Sequence, residues 1–189
     1  MIPYEFDAER FSRWMSYVLR HNPTRYGLQP DRHGYVDAEE FFRIATRRYP
    51  GVTPERLREL IAEGGDGRFE MIGTQLRARY GHSIPVEPPG LPIEPPVYLY
   101  YGTEVSRAES ALTAGLSPLD RRMLHLSETA ADAWAVAKRK TDQPAVLRIL
   151  APQAHAAGAV FYHEGKVYLS PQISAQFLQT ESLPSTAVS

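Results

Sequence analysis

The chain has 189 residues, of which 43% are hydrophobic and 23% charged, enough for one large core or two small ones. Its 21 Lys and Arg against 22 Asp and Glu give a formal net charge of -1, which excludes a global basic field for nucleic acid, so any anion site is local. The absence of cysteine excludes disulfides and thiolate metal sites, and no run approaches the roughly 18 apolar residues of a membrane span.

The first element is organised around Leu19-Arg20-His21-Asn22-Pro23. Phe11, Met15 and Val18 fall at helical i, i+4, i+7 spacing, and Trp14 and Leu19 widen the same face. Asn22-Pro23 stops this helix, because the residue before a proline is pushed out of the α region. Arg20 and His21 therefore sit on the last turn. They either complement the helix dipole or form an anion site, with a planar fork of donors beside an imidazole. A turn follows at Asp31-Arg32-His33-Gly34, then Tyr35-Val36. Asp37 is an N-cap with Glu40 three residues on, opening a second helix through Phe41, Phe42, Ile44 and Ala45. Thr53-Pro54 opens a third, with Leu57, Leu60 and Ile61 on its buried face and Gly64-Gly65-Asp66-Gly67 at its end. Strands at Arg68–Met71 and Gln75–Tyr80 form a hairpin around Gly73-Thr74. Three helices and such a wing make a winged-helix pattern. On the second strand, alternation sets Arg77 and Arg79 on one face and Leu76 and Ala78 on the other. That face is either solvated or delivers a further arginine toward Arg20 and His21.

Proline density from Pro85 to Pro96 forbids helix and predicts an extended connector. Beyond it, Val97-Leu99-Tyr101 reads as a strand entering Gly102-Thr103-Glu104. Gly102 is either an ordinary strand end or a backbone that lets a ligand approach closely. Arg107–Ala114 is helical and ended by Gly115, Met123–Ser127 is a strand, and Glu128–Lys138 is a helix with Ser127 as cap and Ala133, Trp134 and Ala137 inside. Ala145–Leu150 is a buried strand, and a short helix runs from Pro152 to Gly158. Val160–Tyr162 and Lys166–Leu169 flank a turn at His163-Glu164-Gly165. Ile173 and Phe177-Leu178 close the fold, and a polar, disordered tail starts at Glu181. His33, His155 and His163 are read as surface residues, and Tyr162 and Tyr168 as core rather than stacking platforms. Met1-Ile2-Pro3-Tyr4-Glu5 lacks a basic n-region and an apolar h-region, so the reading is a cytoplasmic protein.

Ser16 to Pro23, Gly34-Tyr35-Val36, Arg68-Phe69-Glu70, Leu76-Arg77-Ala78 with Gly81-His82-Ser83, Tyr101-Gly102-Thr103, Gly115-Leu116 through His125-Leu126-Ser127, and Val146 to Ile149 occur in an order that resembles the RNA 2′-phosphotransferases, the KptA-like family. The resemblance runs to about Leu178. It implies an α+β fold: a winged-helix lobe at 1–83 that binds the RNA 2′-phosphate, a Pro-rich linker at 84–96, a β-rich ADP-ribosyltransferase-like, NAD-binding lobe at 97–180, and a tail at 181–189. It also implies NAD as co-substrate, no metal, and transfer of an internal RNA 2′-phosphate to ADP-ribose. The products would be 2′-OH RNA, nicotinamide and ADP-ribose 1″,2″-cyclic phosphate.

By motif match, the family's Arg-His-Arg-Arg set falls on Arg20, His21, Arg77 and Arg121, with Arg122 the alternative to Arg121. Tyr101, Gly102, Thr103 and Ser127 fall on its NAD-binding positions. The chain departs from the family at Tyr101, usually His, and at Met123, where a His-Val-His commonly precedes Leu-Ser. His82 and Ser83 match a family motif and could simply cap the lobe junction. The expected partners are 2′-phosphorylated RNA or other phosphorylated nucleic acid, on a monomer with no membrane. Two alternatives stand beside this reading. One is ADP-ribosylation of phosphorylated RNA or DNA ends without the second step. The other is a non-catalytic winged-helix nucleic-acid-binding protein, against which the mixed signs of Glu55-Arg56-Leu57-Arg58-Glu59 argue.

Overall fold

The structure, a computed structural model, describes residues 6–63, 67–88 and 90–182. The chain divides into two compact units, Met1–Pro89 with Asp120–Arg122, and Gly90–Leu119 with Met123–Ser189. The sequence reading assigns Asp120–Arg122 to the second lobe; in the structure they group with the first unit.

In the first unit, helix α1 (Ala8–His21) starts where the Asp7 carboxylate accepts the Arg10 N–H at 2.9 Å, and it buries Phe11, Trp14, Met15, Val18 and Leu19. Strand β1 (Val36–Asp37) leads into helix α2 (Ala38–Arg48), capped by Asp37 accepting from the Glu40 N–H at 2.9 Å. Thr53 caps helix α3 (Pro54–Glu63) by accepting from the Arg56 N–H at 3.1 Å. The glycines expected to end α3 fall, at Gly64 and Gly65, outside the described residues. Strands β2 (Phe69–Ile72) and β3 (Gln75–Ala78) then pair antiparallel, and β1 joins the far edge of β3. The expected hairpin is thus a three-stranded sheet. The core gathers the α1 face with Leu28, Phe41, Tyr49, Leu57 and Leu76, all buried. Each such side chain contributes roughly 1.5–3 kcal/mol of burial free energy.

In the second unit, β4 (Tyr98–Glu104), α4 (Val105–Ala114), β5 (Leu124–Leu126), α5 (Ala130–Lys138), β6 (Pro144–Leu150), α6 (Ala151–Ala156), β7 (Tyr162–Glu164), β8 (Val167–Ser170) and β9 (Leu178–Glu181) follow in order. They form two antiparallel three-stranded sheets, β4-β6-β9 and β5-β8-β7. The sheets are bridged where Tyr100 and Ser127 exchange backbone hydrogen bonds of 2.9 and 2.8 Å. The core holds Leu99, Leu124, Leu126, Leu147, Ile149, Phe161 and Ile173.

Several expectations are corrected. The α5 cap is Thr129, whose hydroxyl accepts the Asp132 N–H at 3.1 Å; the Ser127 backbone is engaged with Tyr100 instead. Glu181 does not begin a disordered tail. It ends strand β9, where Leu178 pairs with Ile149 and the Glu181 carboxylate reaches Arg148 at 3.2 Å. Residues from 183 on lie outside the described residues. The late hairpin turns at Gly165 and Lys166, with Gly165 at a φ of 63° that favours glycine; His163 and Glu164, expected in the turn, lie on β7 and pair with Tyr168 and Val167. His33 is half-buried, sharing a hydrogen bond with Arg32 Nε at 3.1 Å and one with the Glu87 carbonyl at 3.1 Å. The described part of the proline-rich stretch carries no helix or strand: Glu87 donates to Arg32 in the first unit, Ile93 to Phe161 in the second, each at 2.8 Å. Among the described residues no helix is long and apolar enough to cross a membrane.

Candidate active site

Arg20 and His21 end α1 as the sequence spacing predicts. The Arg20 guanidinium lies 5.2 Å from the Tyr80 ring centre and 5.9 Å from that of Phe69, so apolar faces fix its plane. Its stem crosses Gly81, where an added Cβ would come within 3.3 Å of Arg20 Cδ and Nε; the φ of +91° there also excludes most side chains. Ser83 follows, donating its N–H to the Arg20 carbonyl at 3.0 Å, while its hydroxyl lies 2.9 Å from His21 Nδ1. The His82 carbonyl between them accepts the Arg122 N–H at 3.2 Å, which ties in the segment carrying Arg121.

Arg77, expected on a strand face, is 2% exposed. Cross-strand register explains its burial: Glu70 on β2 is its direct partner. Arg77 Nε donates to Glu70 Oε2 at 2.7 Å, Arg79 Nη2 to Oε1 at 2.7 Å, and the Tyr35 hydroxyl to Oε2 at 2.7 Å. The Arg77 guanidinium also sits 4.9 Å from the Tyr35 ring centre. One carboxylate thus takes three donors. Burial by itself would raise the Glu70 carboxyl, but hydrogen bonds from Tyr35 and Arg77, the Arg77 charge and the Arg79 hydrogen bond carry it down to about 2.

The two histidines report how close the cations lie. Burial, then the charges of Arg20 and Arg121, hold His21 below the usual imidazole value. Burial, then Arg20, Arg77 and His21, push His82 down to about 4. Arg20 and Arg121 thus act on His21, and Arg20, Arg77 and His21 act on His82, all within the first unit. Such a cluster at neutral pH has cationic donors and neutral imidazoles, and it suits an anion of high charge.

In the second unit, Tyr101, Gly102 and Thr103 lie along β4, and the Tyr100 bridge sets Ser127 beside them. The Arg107 guanidinium lies 5.9 Å from the Tyr101 ring centre and donates to the Ser117 carbonyl at 2.7 Å. Gly102 meets a packing need of its own: the place of a Cβ is taken by the Ala133 carbonyl of α5. Among the described residues no group of three or more His, Cys, Asp or Glu could hold a metal ion.

A family model described as "RNA 2'-phosphotransferase, Tpt1 / KptA family" matches residues 7–172. The chain belongs to that family. It is similar to the "Probable RNA 2'-phosphotransferase 1" of Archaeoglobus fulgidus, 34% identical over 175 residues that cover 92% of this chain and 81% of that protein. It is 36% identical to the "Probable RNA 2'-phosphotransferase" of Lacticaseibacillus paracasei over 171 residues, 89% of this chain and 91% of the relative. That of Thermococcus kodakarensis is 35% identical over 160 residues, 85% of this chain and 89% of the relative. The RNA 2′-phosphotransferases are a transferase family, and this chain is an enzyme of that class.

Three residues of this candidate site carry no role in the sequence reading: Tyr35, Glu70 and Tyr80. The first two lie in Gly34-Tyr35-Val36 and Arg68-Phe69-Glu70, stretches that mark the family, and this was the signal available for them. Tyr80 had none beyond its place before Gly81.

Proposed function

We propose that this enzyme removes an internal 2′-phosphate from RNA with NAD as co-substrate, on a winged-helix unit that holds the RNA phosphate and an ADP-ribosyltransferase-like unit that holds NAD. The observation that carries the reading is the turn Gly81–Ser83, which holds Arg20 and His21 through Ser83 and the 120–122 segment through the His82 carbonyl, with Arg77 close enough to act on His82 and Arg121 on His21.

Arg20, His21 and Arg77 draw in and orient the dianion, which supplies proximity and charge stabilisation together. Arg77 arrives with its Nε edge already given to Glu70, which fixes the direction of the guanidinium before substrate binds. Arg121, exposed on its short segment, acts mainly on the second step, where charge shifts as phosphate leaves the RNA. Tyr101, Thr103 and Ser127 offer hydroxyls suited to ribose. Arg107, whose buried Nε has no hydrogen-bond partner, offers a cation suited to a pyrophosphate, so the residues present fit a dinucleotide. NAD, when bound, supplies the acceptor: the RNA 2′-phosphate displaces nicotinamide from the anomeric carbon, a ribose hydroxyl then takes the phosphorus, and 2′-OH RNA leaves with ADP-ribose 1″,2″-cyclic phosphate as the other product.

The test is incubation with NAD and an oligoribonucleotide bearing one internal 2′-phosphate, with products resolved by chromatography. The expected result is nicotinamide, the cyclic phosphate and 2′-OH RNA in equal amounts, and accumulation of ADP-ribosylated RNA with Arg121→Ala. A wild-type enzyme that stops at the ADP-ribosylated RNA would establish the one-step alternative. Recovery of unchanged substrate would refute both.

A further inference from the structure

The structure ties the ring of His21 to one side chain, the hydroxyl of Ser83, 2.9 Å from Nδ1. The same residue holds the end of α1 through its N–H to the Arg20 carbonyl at 3.0 Å, so hydroxyl and helix end cannot drift apart. A histidine's second nitrogen takes its protonation from the bond its first nitrogen makes. A carbonyl or carboxylate at Nδ1 would demand Nδ1–H and leave Nε2 a lone pair, the wrong group to offer an anion. A hydroxyl both donates and accepts. The groups that face His21 are Arg20 on its own helix, Arg121 on the 120–122 segment, His82 and Ser83 on the turn after β3, and the Tyr17 ring, 6.3 Å away one turn earlier on α1. Of these, Ser83 is the one that hydrogen-bonds the imidazole.

We propose that Ser83 is a positioning residue for His21: its hydroxyl donates to Nδ1 of the neutral imidazole and accepts from Nδ1–H of the imidazolium, so that Nε2–H points to the substrate phosphate in both charge states. This rests on the reading of His21 as a phosphate-binding group. The free enzyme at neutral pH holds His21 uncharged, because burial and then Arg20 and Arg121 disfavour the cation. A neutral ring offers one N–H only, and donation from the Ser83 hydroxyl to Nδ1 favours the form that carries it on Nε2. Arrival of a dianion favours protonation. The serine then reverses its bond without moving, an adaptation closed to alanine and open to threonine.

The decisive measurement is the long-range ¹H–¹⁵N spectrum of the full-length protein labelled at histidine, for wild type, Ser83→Ala and Ser83→Thr. Spectra are taken above and below the His21 titration, alone and with a 2′-phosphorylated dinucleotide. At high pH wild type is expected to show protonated Nε2 and unprotonated Nδ1, Ser83→Ala a pair moved toward the tautomer mixture of a free imidazole, and Ser83→Thr the wild-type pattern. Dinucleotide affinity in Ser83→Ala is expected to fall roughly ten-fold at high pH, the scale of one lost hydrogen bond, and by much less once His21 is protonated. An unchanged His21 spectrum in Ser83→Ala overturns the proposal, as does an affinity loss equal at both pH values or not restored by threonine. If wild type fails to bind the dinucleotide at all, the phosphate-site reading fails instead; the spectra of the free protein still decide whether Ser83 sets the tautomer.

Discussion

Glu70 is the residue on which the cation cluster balances, because its two oxygens take Arg77, Arg79 and Tyr35. Its folded carboxyl, at about 2, lies below the 4.5 of an unconstrained Glu, so the ion pair contributes stability above pH 4.5 and loses it as pH falls toward 2. With allowance for the solvent exposure of Arg79, the contribution is about 2 kcal/mol. Glu70→Gln is therefore expected to unfold at lower urea than wild type at pH 7, with the gap closing as the pH nears 2. A gap that stays constant with pH would show that the carboxylate charge is immaterial. His82 obeys the same sign in a different window. Its folded value near 4 lies below the ordinary 6.5, so the protein loses stability as pH drops from 6.5 through 4, when the unfolded chain takes up a proton that the native state refuses. That loss is on the order of 3 kcal/mol. His82→Gln removes this titration, and its urea midpoint should decline less across the window than that of wild type.

At the level of elements, the parts read from sequence were those whose causes are local. The caps at Asp37 and Thr53 and the stop at Asn22-Pro23 follow from a few neighbouring residues. Arg20 and His21 could be placed on a helix end for that reason. What escaped the sequence depends on register between distant segments. Period-two alternation put Arg77 and Arg79 on a shared face, yet only the pairing of Glu70 with Arg77 makes that face a buried ion pair rather than a wet one. Glu181 looked like the start of a polar tail because no apolar pattern follows Leu178; the pairing of β9 with β6 supplies what the side chains of Gln179, Thr180 and Glu181 do not signal. Gly102 is the sharpest case, since the sequence left it either an ordinary strand end or an approach for a ligand, and the structure packs the α5 backbone where its Cβ would be. Gly102→Ala should therefore cost about 2 kcal/mol or more, as a methyl driven into backbone has nowhere to go. Gly51→Ala, with nothing within 4 Å of the added carbon and an ordinary φ, should be neutral or slightly stabilising. Thermal unfolding of the two variants tests the contrast, and equal midpoints would show that α5 yields readily.

For the whole molecule, the balance of 21 basic and 22 acidic residues sets how RNA can be held. A protein that binds nucleic acid by a broad basic surface releases many counterions, and its affinity falls steeply with salt. On the function proposed above, attraction comes from a small group, Arg20, Arg77 and Arg121 with a histidine among them, placed on a chain with no net positive charge. Recognition should then centre on the doubly charged 2′-phosphate, with few contacts to the backbone phosphates on either side. For a single strand the slope of log affinity against log salt is about −0.7 per phosphate neutralised, so the expected slope is no steeper than about −2. The same oligonucleotide without its 2′-phosphate should bind far more weakly at every salt concentration, since the group the cluster is built around is missing. Fluorescence anisotropy of both oligonucleotides over a salt series measures this directly. A slope of about −4 or steeper, or equal affinity for the two strands, would mean that the RNA is held along its backbone and that the cluster is not the centre of recognition.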